Sequence, residues 1–153
     1  MRVLKPQQIL FLKHTPLKNN ETLNLCSACQ GKCCKRAAGI YHPEQVIEEL
    51  KILEKTGNLP QTMQIDAWDS SNELPHTMFI RPAHINSKGR LIDYSWGGQC
   101  TNLGEKGCVL SFETRPKQCQ DLEAVPTFDC ESDTSKLVMA KIWLPYQKYF
   151  RNL

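Results

Sequence analysis

A chain of 153 residues, 41% of them hydrophobic, suits one compact domain with its own core, and residues 1–153 are read as such a domain. Its net charge is +3, with lysines and arginines dispersed instead of run together, so no nucleic-acid partner is expected. No stretch reaches the ~18 apolar residues of a membrane span, and Ile9-Leu10-Phe11-Leu12 is too short for a signal-peptide core, so the expectation is a cytoplasmic protein with no membrane partner.

Residues 1–25 show scattered apolar positions without a clean period and read as an irregular lead-in. The next stretch is Leu25-Cys26-Ser27-Ala28-Cys29-Gln30-Gly31-Lys32-Cys33-Cys34-Lys35-Arg36. A C-x2-C pair lets a short turn aim both sulfurs at one metal ion, and Gly31 relaxes the backbone beside it. Adjacent Cys33 and Cys34 point in different directions, which suits two metals, or one metal and another partner, better than a single tetrahedral ion. After this cluster, residues 37–41 predict a short strand ending at His42. Pro43 suits a first helical turn, with Glu44 at its positive end. Val46, Ile47, Leu50 and Leu53 form an apolar stripe at helical spacing, and Gly57 is a natural stop.

The middle predicts β structure. Met63–Trp68 alternates over part of its length, and residues 69–73 read as a loop. Thr77–Ile85 and Arg90–Trp96 flank Asn86-Ser87-Lys88-Gly89, which predicts a hairpin, with Pro82 placing the first strand at an edge. From Cys100 to Cys130 there is almost no period, as expected of loops held by metal. Asp133, Thr134 or Ser135 caps a closing helix from Lys136 to Leu144, and Pro145 bends or restarts it. The fold class expected is α+β: a short antiparallel sheet, two or three helices and cysteine-bearing loops.

Eight cysteines in a reducing compartment argue against four structural disulfides and for metal ligation. The candidate ligands are Cys26, Cys29, Cys33, Cys34, Cys100, Cys108, Cys119 and Cys130. Packed thiolates repel one another, and Lys32, Lys35, Arg36, Lys106, Arg115 and Lys117 all lie within four residues of a cysteine. Most of these cations read as ordinary solvated charges. Arg115 is the candidate cofactor-binding residue, because Pro116 sets the turn that presents it close to Cys119. His14, His42, His76 and His84 lie at no ligand-like spacing from a cysteine, and His42-Pro43 reads as a helix entry. Trp68, Trp96 and Trp143 read as core or pocket wall. Asp66 and Asp93 face one site only if their strands are neighbours. No Ser-His-Asp order, phosphate-cradling loop or H-E-x-x-H pattern is present, so no catalytic residue is assigned.

Taken together, Cys100-Thr101-Asn102-Leu103, Lys106-Gly107-Cys108, Arg115-Pro116-Lys117-Gln118-Cys119 and Leu122-Glu123 before Cys130 follow the opening cluster in a distinctive order. From Cys26 to Cys130 the chain closely resembles the cysteine-cluster family named for its C-x2-C-x2-C-C signature, to which zinc or iron chelation is ascribed. Here the spacing is C-x2-C-x3-C-C, Val109-Leu110 stands where the family often has Ile-Tyr, and Gln120 stands where an arginine is common. The resemblance implies Cys29, Cys33, Cys34, Cys100, Cys108 and Cys119 as central ligands, with Cys26 shifted outward and Cys130 completing a second site or packing. A flagellin lysine methylase group carries a similar cluster within a longer chain, which brings in iron–sulfur chemistry. The expected function is therefore metal binding, with zinc as the cofactor. The alternative is an iron–sulfur redox or accessory protein supporting a protein-modifying enzyme. A thiol oxidoreductase using Cys26 and Cys29 is disfavoured, since no thioredoxin-like unit surrounds them.

Overall fold

Pro43 opens the first helix as its sequence position suggests. It starts a 3-10 turn, Pro43–Val46, that runs into helix α1, Ile47–Thr56. His42 caps this entry, its Nδ1 accepting the Glu44 N–H at 3.2 Å. Gly57, in the left-handed region at φ 73°, closes the helix by donating its N–H to the Leu53 carbonyl at 2.8 Å. Val46, Leu50 and Leu53 form the buried stripe. The computed structural model describes residues 34–35, 38–69, 73–87, 91–92, 98–123, 131–132 and 135–153. Expectations for residues 1–25, most of the opening cysteine cluster, Trp96 and Asp93 lie outside them.

Strands β1, Met63–Trp68, and β2, Thr77–Pro82, pair antiparallel with Ile65 opposite Ile80. Both isoleucines are fully buried, and each such side chain contributes roughly 1.5–3 kcal/mol of apolar transfer energy. Helix α3, Lys136–Trp143, lies against both strands and brings Met139, Ala140 and Trp143 into the core. Its N-cap is Ser135, whose Oγ accepts the Val138 N–H at 3.2 Å. Pro145 sits in the 3-10 helix Leu144–Phe150 that continues α3 and seats Phe150 in the same core. Ile40, Val46, Leu50, Leu53, Phe79 and Trp143 thus meet in one cluster.

Two expectations change. Of the expected second hairpin strand, Arg90–Trp96, only residues 91–92 are described, and these lie against β1, not β2. β2 ends at Pro82 and takes β1 as its partner, the chain then makes a 3-10 turn at Ile85–Ser87, and Ile92 returns parallel to Ile65. Ile65 donates its N–H to the Leu91 carbonyl at 2.9 Å, so β1 lies between β2 and residues 91–92. Burial explains the choice: β1 carries Gln64, Ile65, Asp66 and Ala67 all buried, which suits a central position. The second change is in the region from Cys100 onward, which has short elements of its own. β3, Leu103–Gly104, and β4, Gly107–Cys108, form a tight antiparallel pair. A 3-10 turn at Phe112–Thr114 leads to helix α2, Lys117–Gln120, and β5, Leu122–Glu123, pairs with β6, Glu131–Ser132. The class is α+β, with three two-stranded antiparallel sheets and three α-helices among the described residues. No helix among them is long and apolar enough to cross a membrane.

Candidate metal centre

Residues 38–41 form no ladder strand, yet this extended segment joins the core to the cysteine-bearing loops. Tyr41 donates its N–H to the Ile80 carbonyl at 3.0 Å, and the Tyr41 carbonyl accepts the indole N–H of Trp143 at 2.8 Å. The Ala38 carbonyl accepts from Arg81 Nη1 at 3.3 Å. Ala38 and Ile40 are buried, so side-chain alternation turns Gly39 and Tyr41 to the other side. There Cys119 rests directly on Gly39: a Cβ added to Gly39 would collide with the Cys119 Sγ. Gly39→Ala is therefore expected to push Cys119 aside, costing about 1–3 kcal/mol of overpacking and lowering bound metal. Thermal melting with metal analysis checks this, and wild-type values for both would show that Cys119 has room to spare.

α2 presents Cys119, and the residues around that cysteine dock the helix. Gln118 accepts the Ile40 N–H on its Oε1 at 2.9 Å and donates its own N–H to the Ile40 carbonyl at 3.2 Å. Gln45 accepts the Lys117 N–H at 2.8 Å, satisfying a donor at the helix start, and donates to the Arg115 carbonyl at 2.9 Å. Gln120 also donates to the Arg115 carbonyl, at 2.9 Å, and to that of Glu113 at 3.2 Å. Gln120 thus ties down the turn that Pro116 terminates. Arg115 is buried, with its Nε donating to the Leu110 carbonyl at 3.2 Å. Lys117, read from the sequence as an ordinary solvated charge, pairs with Asp121 at 2.8 Å.

Cys100 is buried, and Cys34, Cys108 and Cys119 are half-buried. Cys100 donates its N–H to the Cys34 carbonyl at 2.8 Å, which couples the opening cluster to the later loops. Its Sγ accepts the Asn102 N–H at 3.5 Å, and its carbonyl accepts the Leu103 N–H at 3.1 Å. Such N–H···S contacts stabilise thiolate charge and orient the sulfur. The turn feeds β3, and the β3–β4 register returns Cys108 opposite Leu103. Burial foremost, then the negative charge that Cys100, Cys119 and Cys108 carry as thiolates, with Glu49, raises the Tyr41 phenol from 10.0 to about 12. Tyr41 therefore feels three cysteines that lie far apart in sequence.

Cys26, Cys29, Cys33 and Cys130 lie outside the described residues. Among the described residues, no three His, Cys, Asp or Glu side chains stand close enough together to hold a metal ion. The donor set nonetheless fits a thiophilic centre: sulfur ligands, an N–H···S contact at Cys100 and a bare Gly39 beneath Cys119 suit zinc or iron better than a hard, oxygen-seeking ion.

Several features lie beyond what spacing in the sequence reveals. His84, at no ligand-like spacing, is fully buried and bridges to Cys100. Asp66 is buried and pairs with Arg81 Nη2 at 2.6 Å. Tyr41 and Gly39 carried no signal beyond the small residues preceding an aromatic. Trp143 is core, as expected.

The family model CxxCxxCC, described as a putative zinc- or iron-chelating domain, matches residues 25–141. No curated protein and no solved structure matches the chain.

Proposed function

This chain belongs to the CxxCxxCC family of zinc- or iron-chelating domains, and from that premise we propose that it is a thiolate metal-binding protein acting as one cysteine-cluster domain. The ligands are drawn from Cys26, Cys29, Cys33, Cys34, Cys100, Cys108, Cys119 and Cys130, with zinc as the bound ion. The observation that carries the reading is geometric: the Cys119 sulfur rests on Gly39, while Cys100 donates its N–H to the Cys34 carbonyl, so residues 34–39 meet cysteines from two later segments. Thiolates grouped in this way repel one another unless a cation sits among them. The Cys100 N–H to Cys34 carbonyl bond supports the opening cluster as the source of further ligands. Arg115, buried four residues before Cys119, would offset part of the surplus negative charge of a four-thiolate centre.

A second reading, an iron–sulfur cluster in a redox or accessory protein, is favoured by the adjacent Cys33 and Cys34 and by a total of eight cysteines, which exceeds one four-ligand ion. Protein purified without oxygen and without nickel chromatography separates the two. A colourless preparation with stoichiometric zinc supports the first, and a brown one with iron and sulfide supports the second. Cys108→Ser and Cys119→Ser are expected to lose most of the bound metal and much of the soluble yield, because a missing thiolate opens the coordination shell and loosens two loops. Full metal content with wild-type melting in both variants would remove these cysteines from the ligand set.

A further inference from the structure

Buried histidines need a reason, and His84 has neighbours that supply one. Ile85 donates its N–H to the Gln99 carbonyl at 2.8 Å, and Thr101 donates to the Ala83 carbonyl at 3.0 Å. These two bonds flank the antiparallel bridge between His84 and Cys100, making them a non-hydrogen-bonded pair. In such a pair the side chains share a face and the Cα atoms approach to roughly 4.5 Å. The imidazole and the Cys100 sulfur therefore rise from neighbouring points on one surface. The ring accepts the Ala38 N–H on Nε2 at 3.1 Å, which places the proton of the neutral ring on Nδ1.

The surroundings hold that ring in place. A Cβ on Gly98 would stand 3.0 Å from the His84 Cβ and 3.1 Å from its Nδ1, and Gly98 has φ 148°. Only glycine lets the backbone pass so close. The His84 N–H is taken by Gln64 Oε1 at 2.8 Å, and Ser87 Oγ bonds the same oxygen. The residue is thus fixed at its backbone and its ring, and Gly98 presses on its flank.

We infer that His84 is a positioning residue of the metal centre: its Nε2 holds the Ala38 amide, and so docks the segment leaving Cys34 against the strand that carries Cys100. This rests on the metal-binding reading above. Three cysteine-bearing segments meet there. Cys34 lies four residues before Ala38, Cys100 stands opposite His84, and Gly39, next to Ala38, carries the Cys119 sulfur. A buried acceptor that aligns the Ala38 amide lowers the conformational cost of assembling ligands from distant loops, as outer partners of metal sites commonly do. Nε2 is occupied by the amide and Nδ1 carries the ring proton, so His84 acts without ligating.

The test uses the full chain with zinc alone and cobalt(II) alone as probes. His84→Leu keeps the volume and removes the acceptor, while His84→Gln keeps an acceptor oxygen near the place of Nε2. Zinc affinity, measured by competition with a chromophoric chelator, is expected to fall about 10–100-fold in His84→Leu and to stay close to wild type in His84→Gln. The thiolate-to-cobalt absorption and the d–d bands should be unchanged in His84→Gln. Wild-type zinc affinity in His84→Leu overturns the inference. So does an equal loss in both variants, or a shift of the cobalt d–d bands in His84→Gln, which would make the imidazole a ligand. If His84→Leu does not accumulate as soluble protein, His84→Gln decides alone on the same criteria. A wild-type chain that binds none of zinc, cobalt or iron would instead sink the metal reading, and this inference with it.

Discussion

Stripping bound metal from the protein at neutral pH is expected to unravel residues 98–123 while the sheet and the helices packed on it persist. The reason lies in how each part is held together. Ile65, Ile80, Leu50, Leu53, Met139 and Trp143 are fully buried and belong to one apolar cluster that Cys100, though buried, does not join. The cysteine-bearing stretch has only β3, β4 and β5 of two residues each, one short 3-10 turn and the four-residue helix α2. Elements this short are not stable alone. Structural zinc sites contribute on the order of 10–16 kcal/mol of apparent binding free energy, more than most domains' whole stability. Acid should do the same as the chelator, because metal-bound thiolates are lost as protons compete for them. Hydrogen exchange read by mass spectrometry, after metal loss is verified, would show protection vanishing from 98–123 first. Unchanged exchange and an unchanged circular dichroism melt would mean that the loops hold themselves.

Replacing Asp66 by alanine is expected to destabilise the protein by about 3–5 kcal/mol, the range for stranding one partner of a buried ion pair. The Arg81 and Asp66 side chains are only 6% and 5% exposed, with 2.6 Å between Nη2 and the carboxylate. Arg81 also lies over the Phe79 ring at 5.3 Å, and Lys136 stands 5.8 Å from the same ring. Burial foremost lowers the Lys136 pKa and Arg81 lowers it further, whereas Asp66 opposes both. Without that carboxylate two cations share one aromatic ring. The double change Asp66→Leu with Arg81→Met should recover most of the loss, since apolar replacements of buried pairs are often neutral or better. It would still forgo the bond to the Ala38 carbonyl, worth about 1 kcal/mol. Urea unfolding of the single and double variants checks both statements. A cost below about 1 kcal/mol for Asp66→Ala would class the pair with exposed ones.

Local rules in the sequence carried far. Proline at the start of the first helix, its apolar stripe, the glycine stop, the Met63–Trp68 strand and the Ser135 cap all hold, because each is decided by neighbours within a few residues. The cysteine motifs likewise declared a metal-binding family, since sulfur donors at short spacing have few other uses in a reducing setting. Tertiary structure decided the rest. Which strand pairs with β2 depended on burial: β1, with Gln64 through Ala67 buried, takes the central place beside it. Spacing offered no ligand role for His84 and no partner for Asp66, whereas Asp66 is buried against Arg81 and His84 pairs with Cys100 across a β-bridge. Ala38 and His84 are 46 residues apart, and Ile40 and Gln118 are 78 apart. Bonds of that span form only after the core has brought the segments together, and no local pattern encodes them because each partner's own neighbours are indifferent to the contact.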